Sequence, residues 1–255
     1  MGRFQSGTPV ADKPKSKASP PYMSTQPTPQ RRSFFRSLNS RLAGLTAVAL
    51  GTAAATQAKK TKPAPRWEPA RHEKDDWLES PQAKHRLVFD TTSGKGFGEG
   101  LAFAGNYIRV NGVDYGLQDS DLSVLIVARH HATAFAYNDA MWAKYGEPLA
   151  AQAVFEDPKT KQAPVINVYN AAGYGGLLPS RGSTIDSVTK RGLQFAVCAT
   201  ATRAFAGAIA RKVGGNADTI NSELIANLVS NARMVPAGIV AVSRAQERSY
   251  TVVTA

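Results

Sequence analysis

The chain has 255 residues, 31 Lys or Arg against 19 Asp or Glu, a formal net charge of +12 and one cysteine, which excludes an internal disulfide. The charge is uneven: residues 1–58 hold eight Lys or Arg and a single acid, Asp12, so they carry +7 of the total and the remainder carries +5. That remainder shows no basic stripe interleaved with aromatics, so composition argues against a nucleic-acid partner.

Residues 1–29 are rich in Pro, Ser, Thr and Lys and poor in apolar side chains, a composition expected to stay disordered. Gln30-Arg31-Arg32-Ser33-Phe34-Phe35-Arg36 then precedes an apolar run from Leu42 to Ala55, which is too short for a comfortable membrane span. Small residues close the run at Ala53-Ala54-Ala55 and Thr56-Gln57-Ala58. A basic, apolar, small-residue order is the layout of an export signal. The paired arginines before Phe-Phe resemble a twin-arginine signal, with Gln30 where Ser or Thr is usual. Residues 1–58 are therefore expected to act as an export leader, cleaved near Ala55 or Ala58, giving a periplasmic or otherwise exported protein that meets membrane export machinery only transiently. A start at Met23 would leave a leader of more ordinary length. The competing reading is an uncleaved, Ala-rich amphipathic segment. Residues 59–84, rich in Lys, Pro and Glu, read as a tail or linker, with Trp67 and Trp77 available to pack against the body.

Residues 85–255 have room for one well-buried domain. Arg86–Asp90 reads as a short strand. Gly94 to Gly100 follows it with a glycine at every second position, matching neither the dinucleotide fingerprint nor the P-loop spacing, and reads as a flexible loop. Gly100 to Val110 suits a helix, and Leu122–Ala128 a strand buried on both faces. Ala132 to Lys144 is expected to be helical. Residues 146–182 are poorly periodic and include the Gly-rich Ala172-Gly173-Tyr174-Gly175-Gly176. Ser183–Lys190 reads as a helix, Leu193–Cys198 as a strand and Thr202–Val213 as a helix. Asp218 is expected to cap a further helix, and Gly238–Val242 and Tyr250–Val253 to be closing strands. Alternation of this kind implies an α/β fold with a mainly parallel sheet flanked by helices.

Cys198 ends a predicted strand and opens a predicted helix, where free amide N–H groups favour a thiolate. The opposing reading is a core cysteine acting as a small hydrophobe. His130 and His131 end another predicted strand, on the sheet rim where α/β folds build their sites. They suit a proton relay beside a thiol, or equally a polar pair at a strand end. A three-ligand metal site from His130, His131 and Cys198 has no supporting spacing motif. No GxSxG elbow occurs, so a serine-hydrolase reading has no nucleophile.

Lys190-Arg191-Gly192-Leu193-Gln194-Phe195-Ala196-Val197-Cys198, with Arg203 and the later Val235-Pro236-Ala237-Gly238 through Tyr250-Thr251-Val252, resembles the DsrE/DsrF-like family. Val127-Ala128-Arg129-His130 is similar to that family's second strand. The resemblance spans residues 85–255. It implies a small α/β fold with helices on both faces and assembly into trimers or hexamers. It also implies a persulfide carried on Cys198 and passed between a sulfur donor and an acceptor. Under it Cys198 is the nucleophile, His130 a proton-relaying neighbour, and Arg203 and His131 offer charge to substrate; no cofactor is implied. The export leader and the longer Gly-rich stretch depart from the cytoplasmic relay members. A binding or assembly module with a structural cysteine, or a metal- or cofactor-binding protein, stands as the alternative.

Overall fold

The computed structural model describes residues 1–2, 67–80 and 82–255. The export-leader expectation for residues 1–58 lies outside the described residues apart from Met1 and Gly2. The fold is contained in Ala64–Ala255.

Five strands form one all-parallel sheet: β1 (His85–Thr91), β2 (Leu122–Ala128), β3 (Gln194–Cys198), β4 (Ala232–Val235) and β5 (Thr251–Thr254), in spatial order β4-β3-β2-β1-β5. Among the described residues six α-helices accompany them: α1 (Gly94–Tyr115), α2 (Asp139–Ala153), α3 (Ile185–Thr189), α4 (Ala199–Val213), α5 (Ala217–Ala226) and α6 (Gly238–Glu247). The sheet is covered on both faces. Leu87, Phe89, Val124, Ile126, Phe195 and Val197 point into the larger core with Phe97 and Leu101 of α1, Trp142 of α2 and Phe205 and Ile209 of α4. Their strand neighbours Val88, Leu125, Val127 and Ala196 point the opposite way, against Ala241, Val242 and Ala245 of α6. Full burial on both faces is why β2 reads as an unbroken apolar run.

The connections explain this layering. From β1 through β4 the chain steps one strand at a time in one direction, its helices crossing the larger core. After β4 it reverses, and α6 carries it over the other face to β5 beside β1. Parallel crossovers share one hand, so a reversal of direction requires a change of face.

Several local expectations are corrected. The glycine-rich Gly94–Gly100 is not a loop but the first turns of α1, capped by the Ser93 hydroxyl, which accepts from the Gly96 amide at 3.0 Å. The glycines are there for close approach: a Cβ on Gly94 would lie 2.8 Å from the Phe135 ring, and one on Gly98 2.6 Å from the Tyr169 ring. Gly238–Val242 is not a strand but the start of α6, and the preceding strand is β4, which stops before Pro236. Ala241, Val242 and Ala245 are buried while Ile239 and Val240 are exposed, a helical rather than a two-residue alternation. The cap of α5 is Asn216, whose side chain accepts from the Thr219 amide, with Asp218 inside the first turn. The single helix expected over Ala132–Lys144 divides into a 3-10 helix, His130–Ala136, and α2.

The aperiodic stretch after α2 is ordered by side chains rather than by a backbone ladder. Asn167 Nδ2 donates to the carbonyls of Phe135 and Tyr137, both at 2.8 Å. Tyr169 donates to the Gly94 carbonyl, and Tyr174 donates to buried Asp157 at 2.7 Å. Upstream of β1, Glu73–Leu78 is a 3-10 helix whose Leu78 is buried under α6. Trp77 packs there, whereas Trp67 is exposed.

Candidate functional site at the β3–β4 switch point

In an open parallel sheet a crevice forms where adjacent strands send their following helices to opposite faces. Here those strands are β3 and β4, since α4 joins the larger core and α6 the smaller one. Cys198 is the last residue of β3 and pairs in register with Val235 of β4. The lone thiol therefore stands at the crevice, between the N-termini of α4 and α6.

Cys198 is also the N-cap of α4. Its Sγ accepts from the Ala201 amide at 3.5 Å, within the range of a sulfur acceptor. The 15-residue helix directs its positive end at that sulfur. Behind it runs a buried relay: Tyr137 donates to Thr202 Oγ1 at 2.9 Å, and Thr202 donates to the Cys198 carbonyl at 3.0 Å. Burial raises the Tyr137 hydroxyl pKa well above its ordinary range, so Tyr137 stays protonated and a donor. Thr200 ties the start of α4 to the Pro236 carbonyl, which fixes the crevice width.

A fixed cation in register with the thiol is Arg129. It follows β2, whose Ala128 pairs with Val197, so Arg129 is in register with Cys198. Strand alternation puts Asp90, Arg129 and Cys198 on the α6 side of the sheet. Arg129 grips Asp90 with two parallel bonds, Nε to Oδ1 at 2.6 Å and Nη2 to Oδ2 at 2.8 Å. Hydrogen bonding to Asp90 raises the Arg129 pKa, against a smaller loss from burial, and the charge of Cys198 adds to the rise. Gly238 makes this seat possible, since a Cβ there would lie 2.6 Å from Arg129 Cβ.

The other sequence-predicted residues fall further out. His130 is exposed, with a left-handed backbone at φ 55° that breaks the strand direction. Burial first, then the charges of His131 and Arg129, lower its pKa, so it is neutral at pH 7. His131 stacks on His130 at 3.8 Å between ring centroids, and its Nδ1 is 2.5 Å from the Gln152 carbonyl. It lines a cleft of about 430 Å³ with Ser93, Lys95, Phe155 and Tyr169, on the larger-core side. Among the described residues no hydrogen bond joins either histidine to Cys198. Arg203 is exposed on α4, without a hydrogen bond or ion pair among the described residues. Among the described residues, no group of three His, Cys, Asp or Glu side chains is close enough to hold a metal ion.

The Asp90–Arg129 pair is what sequence reasoning missed. It becomes readable only once strand order is known: Asp90 is the penultimate residue of β1 and Arg129 directly follows β2, both at the C-terminal rim and two register positions apart. No protein-family model matches the chain, and no curated protein or solved structure matches it.

Proposed function

We propose that this chain handles sulfane sulfur or thiols through Cys198, as an exported, DsrE-like protein working as a homo-oligomer. The observation that carries this reading is the position of Cys198 at the switch-point crevice, with its sulfur on the α4 amides and beside Arg129. A helix N-terminus and a neighbouring guanidinium are surroundings in which a cysteine serves as a nucleophile toward sulfur. The step with a thiosulfate-type donor is balanced. The Cys198 thiolate attacks the outer sulfur, a new S–S bond forms on Cys198, the donor's own S–S bond breaks, and sulfite leaves with the electron pair. The persulfide then passes its outer sulfur to an acceptor thiolate, and the Cys198 thiolate returns. Arg129 holds the negative charge of thiolate and persulfide in turn. His130, neutral at the rim, is the proton relay for an incoming thiol. Arg203 and His131 supply outlying positive or polar groups to an anionic donor.

A second reading, a structural cysteine in a binding or assembly module, is favoured by one observation: Cys198 is 7 % exposed. Intact mass of the protein after incubation with thiosulfate or polysulfide, beside Cys198→Ala, decides between the two. The carrier reading expects one added sulfur on the native protein alone, removed by reductant. No adduct, with a thiol that alkylates only after unfolding, assigns Cys198 to the core.

A further inference from the structure

A cleft of about 640 Å³ opens between α1, α3 and the 178–184 turn, a size typical of small-molecule sites. It is away from the β3–β4 crevice, and no strand-end residue lines it. Phe103, Asn106 and Arg109 approach it from one face of α1, three residues apart. Ser180, Arg181 and Ser183 approach from the opposing turn, and no carboxylate lines the cleft. Arg191 also reaches it, but its fork is occupied by Asp119 at 2.6 and 3.0 Å.

The remaining donors are largely unspent. Arg109 gives one bond, to Asn106 Oδ1 at 2.8 Å. The Arg181 side chain makes no hydrogen bond or ion pair among the described residues, while its backbone amide donates to the Leu178 carbonyl at 3.1 Å. The Arg181 backbone sits in the left-handed region at φ 50°, which a side chain disfavours. Ser180 is only 3 % exposed and lines the cleft. Beside these donors, Phe103 is half exposed, its ring 6.4 Å from that of Phe89, and offers an apolar wall.

We propose that this cleft binds an aromatic oxyanion, a phosphate or sulfate monoester. The oxyanion is held by the Arg181 and Arg109 guanidinium forks, whose geometry matches such oxygens, with the Ser180 and Ser183 hydroxyls donating to it. The aromatic part rests on Phe103. The site is independent of the sulfur chemistry proposed for Cys198.

The test is calorimetric titration of the full chain with phenyl phosphate, phenyl sulfate and inorganic phosphate. Arg181→Gly is the informative variant, because it removes the fork and also relieves the left-handed backbone, so its fold is kept; Arg109→Ala is the second. At least one ester is expected to bind, and Arg181→Gly to weaken it by about tenfold or more. The tighter ester identifies the source as phosphate or sulfate. No binding of either ester at millimolar concentration overturns the proposal. So does an unchanged affinity in both variants, or inorganic phosphate binding as tightly as phenyl phosphate.

Discussion

Arg129 combines a bidentate carboxylate grip with a register position next to a thiol. The grip removes most of the side-chain freedom that makes exposed ion pairs weak, so the charge beside Cys198 is held in place. Arg129→Gln is therefore expected to slow iodoacetamide alkylation of Cys198 at fixed pH. Arg129→Lys, which keeps the charge and loses the fork, should fall between. Equal rates in all three proteins would remove Arg129 from the site. A second residue-scale effect concerns Asp157. Burial alone would raise its pKa, but the Tyr174 hydroxyl, two backbone amides and Lys159 outweigh burial and lower it. Tyr174 is correspondingly pushed up to about 12 by burial and by Asp157. A carboxylate whose folded pKa is depressed stabilises the fold above its unfolded pKa and loses that contribution as pH falls through the folded value. Asp157→Asn is thus expected to cost about 1–3 kcal/mol at neutral pH, in line with hydrogen bonds to a charged group. The cost should shrink below the ordinary carboxylate range, as read by urea unfolding at pH 7 and pH 3.

At the scale of elements, α1 separates two roles of glycine. Gly98 lies against Tyr169, and a Cβ would meet its ring at 2.6 Å. Gly112 has its nearest neighbour at 3.6 Å, an ordinary contact. Gly98→Ala should therefore destabilise by about 1–3 kcal/mol through overpacking, while Gly112→Ala should stabilise by about 0.5–1 kcal/mol through helix propensity. Thermal melts of the two variants should move in opposite directions. This contrast also shows what the chain made legible. Strands β1, β2 and β3 were readable because continuous apolar runs between turn residues have few other uses. The first turns of α1 were not, because propensity counts glycine as a breaker and cannot see the aromatic rings that require it. The start of α6 was missed for the complementary reason: Ile239-Val240-Ala241-Val242 has strand-like composition, and only its packing on β1–β3 reveals the helical period. The aperiodic 154–182 stretch gave no signal because its order comes from single long-range bonds such as those of Asn167. At the site, Cys198 was legible from a strand-to-helix change in composition. Its Arg129–Asp90 partnership was not, since it depends on strand order.

For the whole molecule, the strand order places β1 one position in from the sheet edge and pairs it there with the final strand, β5. Leu87 stands opposite Thr251, and Asp90 opposite Thr254. The loop around Glu73–Leu78 adds to the same seam, with Tyr250 donating to the Leu78 carbonyl and Arg86 to the Arg248 carbonyl. Removing residues 249–255 should therefore do more than trim an end. It strips one side of β1 and uncovers Leu78 and Val88, and the truncated chain is expected to aggregate or bind a hydrophobic dye where the full chain does not. A chain emerging at roughly 5–20 residues per second spends on the order of ten seconds between making β1 and making β5. Throughout that interval the outer edge of β1 has no partner. The layout thus sets a clock: the sheet is completed last, at its edge beside β1, and anything that handles the nascent chain must keep one apolar strand edge covered until the final residues arrive.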